Sequence, residues 1–156
     1  MRRIVLIGVL LLLALPAMAQ EVVVRGIDGR EVSVPAAEIA ALPHVTVRGP
    51  GREAASYSGV PLVALLERVG APFGQAMRGA ALRVVVVVRA SDGYAATLSL
   101  AEIDPGARGT QVILADRRAA EPLDAAEGPF RLVVEGDLRR ARSVFRVNRI
   151  ELVQLP

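Results

Sequence analysis

The 156-residue chain has no cysteine, no lysine and no tryptophan, and it has a single histidine. Without cysteine it forms no disulfide and offers no thiolate to a metal. Without lysine it has no Walker A motif, and no G-x-G-x-x-G run occurs, so nucleotide cradles of those two kinds are absent. His44 finds no second imidazole or thiolate to complete a metal site, so a structural role is expected for it. No G-x-S-x-G elbow accompanies it, which sets aside a Ser-His-Asp hydrolase. The 16 acidic residues are scattered without a spacing that marks a glycosidase pair. Three phenylalanines and two tyrosines leave little material for stacking bases.

All 19 basic residues are arginine, a bias of GC-rich coding that weakens any single arginine as a functional signal. The N-terminus reads as a secretory signal. Arg2 and Arg3 precede an apolar run, Ile4 to Leu15, and Ala17-Met18-Ala19 supplies the small-x-small pattern for cleavage before Gln20. Those twelve apolar residues, ending at Pro16, fall short of the roughly 20 that span a bilayer. The expectation is a periplasmic or secreted protein with no stable membrane anchor once the signal is cut. Residues 20–156 suffice for one domain and one core. Without Arg2 and Arg3 that part carries 17 arginines against 16 acids, so nucleic acid is not an expected partner.

Local patterns then suggest an order of elements. "VVVRGIDGREVSV" alternates around Asp28-Gly29, the signature of a two-residue hairpin turn. "PAAEIAAL" gives a short helix with Pro35 in its first position, "HVTVRG" a strand, and Pro50 to Ser56 a loop. "YSGVPLVALLERVGAP" reads as a turn followed by a helix from Pro61, with Leu62, Leu65, Leu66 and Val69 on one face and Gly70 as its cap. The five valines of "ALRVVVVVRA" predict a central strand buried on both faces. Asp92-Gly93 turns the chain into another strand, and Ser99 and Glu102 have capping-box spacing. "QVILAD", "PFRLVVEG" and "RIELVQL" are three further strands. Strands and short helices mix without a βαβ rhythm, so the fold class is α+β.

The densest chemistry lies in "DLRRARSVFRVNRIEL", where Arg139, Arg140, Arg142 and Arg146 surround Ser143. Guanidinium forks match phosphate oxygens, and a serine hydroxyl with backbone N–H groups can complete an oxyanion cage. The same arginines also suit a solvated face paired with Glu135, Asp137 and Glu151.

These residues carry a resemblance. "GPFRLVVEGDLRRARSVFRVNRIEL" resembles the C-terminal part of the sulfite oxidase-type molybdopterin-binding domain, and Ala141-Arg142-Ser143-Val144 reproduces its core phrase. "YSGVPLVALLERVGAP", "ASDGYAATLSLAEI" and "VILADRRAAEPLDAAEGPFRL" follow the family in order, so Tyr57 to Val153 is covered. The resemblance implies the family's α+β fold with a mixed sheet and short helices. It also implies that the Arg142-Ser143 turn sits where the family holds the pterin phosphate. Catalytic members bind molybdenum through a cysteine from a loop that here corresponds to Thr46–Ser56. That loop has no cysteine, and no spacing singles out Ser56 or Glu53 as an oxygen ligand in its place, so no metal ligand is expected.

Two functions follow as expectations. The first is a non-catalytic binding or interaction module, with Arg140, Arg142, Ser143, Arg146, Asp92 and Tyr94 around a pterin or other small anion, or with a periplasmic protein partner. The second is a small molybdopterin-dependent oxidoreductase that holds its cofactor without cysteine ligation. Asp92-Gly93-Tyr94 is equally well read as a hairpin turn with a packed ring, and the chain also suits a component of a larger periplasmic assembly.

Overall fold

The computed structural model describes residues 20–53 and 55–156; the expected signal, residues 1–19, lies outside the described residues. β1 (Glu21–Arg25) and β2 (Glu31–Pro35) form the expected hairpin, but its loop differs from the expected two-residue turn. Gly26 N donates to Arg30 O at 2.8 Å and Gly29 N to Gly26 O at 3.1 Å, with only Gly29, at φ +84°, in left-handed space. Ile27 is the added residue; a three-residue loop closed by a left-handed glycine accommodates it. Ser91-Asp92-Gly93 repeats the device, with Ala90 N donating to Tyr94 O at 2.8 Å and Gly93 at φ +90°.

A short helix, α1 (Ala36–Ala41), starts after Pro35 and leads to β3 (Val45–Arg48). The expected turn at "YSGVP" is instead a strand, β4 (Ser56–Pro61). Gly59 explains this, because a Cβ there would lie 2.2 Å from Leu114 O, so only glycine admits so close a neighbouring strand. The helix that follows, α2 (Leu62–Leu66), tightens into a 3-10 turn over Glu67–Val69 and ends at Gly70, φ +74°. Its expected apolar face, Leu62, Leu65, Leu66 and Val69, is buried.

β5 (Val84–Ala90) and β6 (Ala95–Ser99) follow, and Ser99 with Glu102 forms the expected capping box on a 3-10 turn over Leu100–Glu102. β7 (Val112–Arg118), the two-residue β8 (Glu121–Pro122), β9 (Arg131–Val134) and β10 (Val147–Gln154) complete the order. They form two five-stranded sheets. The first, in order β2-β1-β10-β5-β6, is mixed because β10 runs parallel to β1 and antiparallel to β5. The valine strand β5 is therefore off-centre and alternates, with Val84, Val86 and Val88 buried but Val85 and Val87 partly exposed. The expectation of a central strand covered on both faces fails because β10 takes the middle and one side of this sheet meets solvent. The second sheet is antiparallel, with β3, β4, β7 and β8 in order and β9 also paired to β7.

The main core fills the seam between the sheets. Val24, Val86, Val88 and Ile150 meet Val60, Leu114, Leu132 and Val134 there, joined by the leucines of α2. A smaller cluster of Val47, Tyr57, Ile113, Ala115 and Val133 covers the other face of the second sheet. That second face positions the candidate site.

Candidate functional site: a buried arginine and the cleft beside it

Strand periodicity puts Arg131, at the start of β9, on the same face as Val133, away from the seam. It is fully buried. Its guanidinium carbon lies 4.4 Å from the centre of the Tyr57 ring and 4.6 Å from that of Phe145. Cation–π attraction and stacking hold it between the two rings. Nε donates to Ser143 Oγ at 2.7 Å, one terminal nitrogen donates to Tyr57 Oη and to Glu127 Oε2 at 2.9 Å, and the other donates to both oxygens of Glu53 at 3.2 Å. Tyr57 Oη donates in turn to Glu53 Oε2 at 3.0 Å, and Arg140 reaches Glu53 Oε1 at 3.1 Å. Burial pushes the Tyr57 phenol up to about 12; Arg131 opposes that shift and the bond to Glu53 adds to it. A buried guanidinium is tolerated only with this degree of satisfaction.

The residues read from sequence sort themselves around this cluster. Arg140, Ser143, Arg146, Asp92 and Tyr94 line one cleft of about 380 Å³, together with Ala90 and Phe145. Arg142 is not among its lining residues. Its fork is taken by Asp137 (Nε to Oδ2 3.1 Å, terminal nitrogen to Oδ1 2.6 Å) and its other terminal nitrogen by Glu102 Oε1 at 2.7 Å. Asp137 first and Glu102 second raise the Arg142 pKa, so it stays charged and engaged. Ser143 lines the cleft, but its hydroxyl accepts from Arg131 and donates to Leu132 O at 2.9 Å. It pins Arg131 in place.

Arg146 is the least satisfied of the group. Its backbone is left-handed at φ +50°, held by Arg146 N to Glu127 O at 2.9 Å and Ser91 N to Arg146 O at 3.0 Å. One terminal nitrogen bonds Asp92, while its buried Nε has no partner. The Tyr94 backbone N–H, at 3.0 Å, and Arg146 hold the Asp92 carboxyl below its usual range. Tyr94 Oη donates to Ala141 O at 2.5 Å and straps the hairpin turn across the arginine segment.

The Thr46–Ser56 loop, for which no metal ligand is expected, has its two oxygen donors of interest engaged elsewhere. Glu53 is committed to Arg131, Arg140 and Tyr57, and Ser56 lies with Thr46 and Ser58 in a different cleft. Among the described residues no three His, Asp or Glu side chains converge as a metal site. With no thiolate and with Glu53 engaged, the described donors of this loop do not fit a directly ligated molybdenum. His44 is half-buried, with Nδ1 2.6 Å from Leu42 O and Nε2 3.2 Å from Asp116 Oδ2.

Arg131 is the residue that sequence reading missed. Its signal was a lone charge inside the apolar run "PFRLVV", on the face of Val133, where a strand covered on both sides demands a buried partner.

Two sheets with few short helices form the mixed α+β fold of a molybdopterin-binding domain. The chain belongs to the oxidoreductase molybdopterin binding domain family, whose model matches residues 12–156. Among solved structures it is similar to the sulfane dehydrogenase SoxCD from Paracoccus pantotrophus, with a TM-score of 0.60 and 17% identity, over 85% of this chain and 38% of that one. No curated protein matches it.

Proposed function

We propose that this protein is an exported binding module of the molybdopterin family, non-catalytic, which takes an anionic ligand of the pterin-phosphate class in the Arg140–Arg146 cleft. The observation that carries the reading is Arg146, which lines the cleft on a left-handed backbone and is tied to Asp92 through one terminal nitrogen. A non-glycine residue at positive φ costs about 1 kcal/mol or more and persists where the surroundings enforce it, often at functional sites. Arg140 supplies a second guanidinium, Phe145 and Tyr94 give rings for a flat heterocycle, and Asp92 offers an acceptor for ring N–H groups. When bound, a molybdopterin would supply an anionic, aromatic group to these residues. Metal chemistry lacks support in the donor set, because Glu53 is already spent on two arginines and a phenol. A cysteine-free oxidoreductase would require some other ligand, and no observation favours one.

The test is thermal melting with added inorganic phosphate, and separately with a phosphorylated pterin. A ligand that binds only the folded state raises the melting temperature as its concentration passes the dissociation constant. Both ligands should raise it in the native protein, and Arg146→Ala should abolish the shift. A shift that survives Arg146→Ala, or none in the native protein, contradicts the reading.

A further inference from the structure

Beside the cleft, the turn Gly136–Arg140 carries Leu138 almost wholly into solvent, at 89% exposure. A singly exposed leucine is ordinary, but this one stands on backbone that is fixed on both sides. Gly51 N donates to Asp137 O at 2.7 Å, and the Asp137 carboxylate is gripped by the Arg142 fork at 2.6 and 3.1 Å. Gly51, at φ +67°, approaches so closely that a Cβ would sit 3.2 Å from Leu138 O. The two loops thus enclose a notch of about 340 Å³ in which Leu138, Arg52 and Arg140 meet.

The charge around it is predominantly positive. Arg52 and Arg139 are exposed and, among the described residues, have no carboxylate within 4.0 Å. The side chain of Arg140 is 63% exposed. The carboxylate in the notch, Glu53, is already neutralised by Arg131 from inside. An apolar side chain on fixed backbone beside exposed guanidiniums is preorganised, and preorganisation lowers the ordering cost of binding.

We infer that this notch is the docking surface for an acidic protein segment, which places an apolar side chain against Leu138 and carboxylates on Arg52 and Arg139. The concavity favours a protein over a lipid surface, since a membrane has no side chain to fill it. The inference locates the protein partner of the proposed module, and it stands whether or not the cleft binds a pterin.

The test is a titration of the ¹⁵N-labelled full chain with a synthetic peptide of alternating glutamate and leucine, followed by amide shifts. Poly-glutamate and phosphatidylglycerol vesicles are titrated in parallel. Shifts confined to residues 50–53 and 136–140, with affinity at least tenfold weaker in both Arg52→Glu and Leu138→Ser, are expected. Both changes are at exposed positions, and unchanged melting temperatures confirm that the variants fold. Equal binding of poly-glutamate and indifference to Leu138→Ser would reduce the surface to unspecific charge and overturn the inference. Binding to vesicles but not to the peptide, or shifts elsewhere, would also overturn it.

Discussion

The two faces of the second sheet are both covered by apolar residues, yet only the far face carries a buried charge among them. Toward the seam, Leu114, Leu132 and Val134 meet other hydrocarbon, and each fully buried leucine or valine contributes about 1.5–3 kcal/mol by leaving water. On the far face, β9 places a charged residue at the same depth. Arg131 is as inaccessible as Leu132, and it is held by two carboxylates, a phenol, a serine and two rings. The seam is non-directional and tolerates rearrangement, whereas the arginine cluster fixes geometry. Through Glu53 it ties down the 50–53 loop, and through Ser143 the cleft segment. The contrast teaches that this domain uses its buried polar groups to organise one side of the cleft.

Breaking that side should have the largest effect. Arg131→Met removes the buried counter-charge of Glu53 and Glu127 and leaves each only an exposed arginine, Arg140 and Arg118, and a loss of about 3 kcal/mol is expected in denaturant melts. Adding Glu53→Gln and Glu127→Gln should recover much of it, because the penalty lies in the abandoned charges. A single change that costs little would show the cluster to be ornamental. Leu114→Ala in the seam should cost about 2–5 kcal/mol, with no comparable rescue by neighbouring substitutions. The arginine change should also abolish phosphate-dependent stabilisation, which the leucine change preserves.

A smaller effect appears in acid. Burial pushes the Glu102 carboxyl up, but the bond from Arg142 and the Ser99 N–H outweigh it, leaving the pKa lowered; Arg89 and then Arg149 lower that of Glu151 against burial. A folded-state pKa below the unfolded one means stability that is fully present above the unfolded glutamate value, about 4.3, and lost as pH falls through the folded values. The difference in melting temperature between the native protein and Glu102→Gln should therefore be constant above about pH 5 and shrink below pH 4. A difference that grows in acid would contradict the assignment.

Much of this architecture can be read in advance from the residues. The apolar face of α2, the Ser99–Glu102 cap and the hairpin glycines are local devices, each set by neighbours a few positions away. What local pattern does not carry is long-range placement. Five valines in a row look like a central strand, but β10, the last strand, inserts between β1 and β5 and displaces β5 from the middle. "YSGVP" looks like a turn until Gly59 is seen against Leu114. The candidate site divides in the same way. Sequence grouped Arg140, Ser143, Arg146, Asp92 and Tyr94, which share one cleft, but could not show that Asp137 and Glu102 occupy Arg142. Nor could it show that Ser143 serves Arg131, because the bonds to Glu53 and Tyr57 join residues more than 70 positions apart.

The most direct test of the account is elemental analysis for molybdenum, with pterin fluorescence after oxidation, on protein purified from a host that makes the cofactor. Pterin or another phosphorylated anion without molybdenum is the predicted result. Molybdenum at about one atom per chain, retained through dialysis, would contradict it.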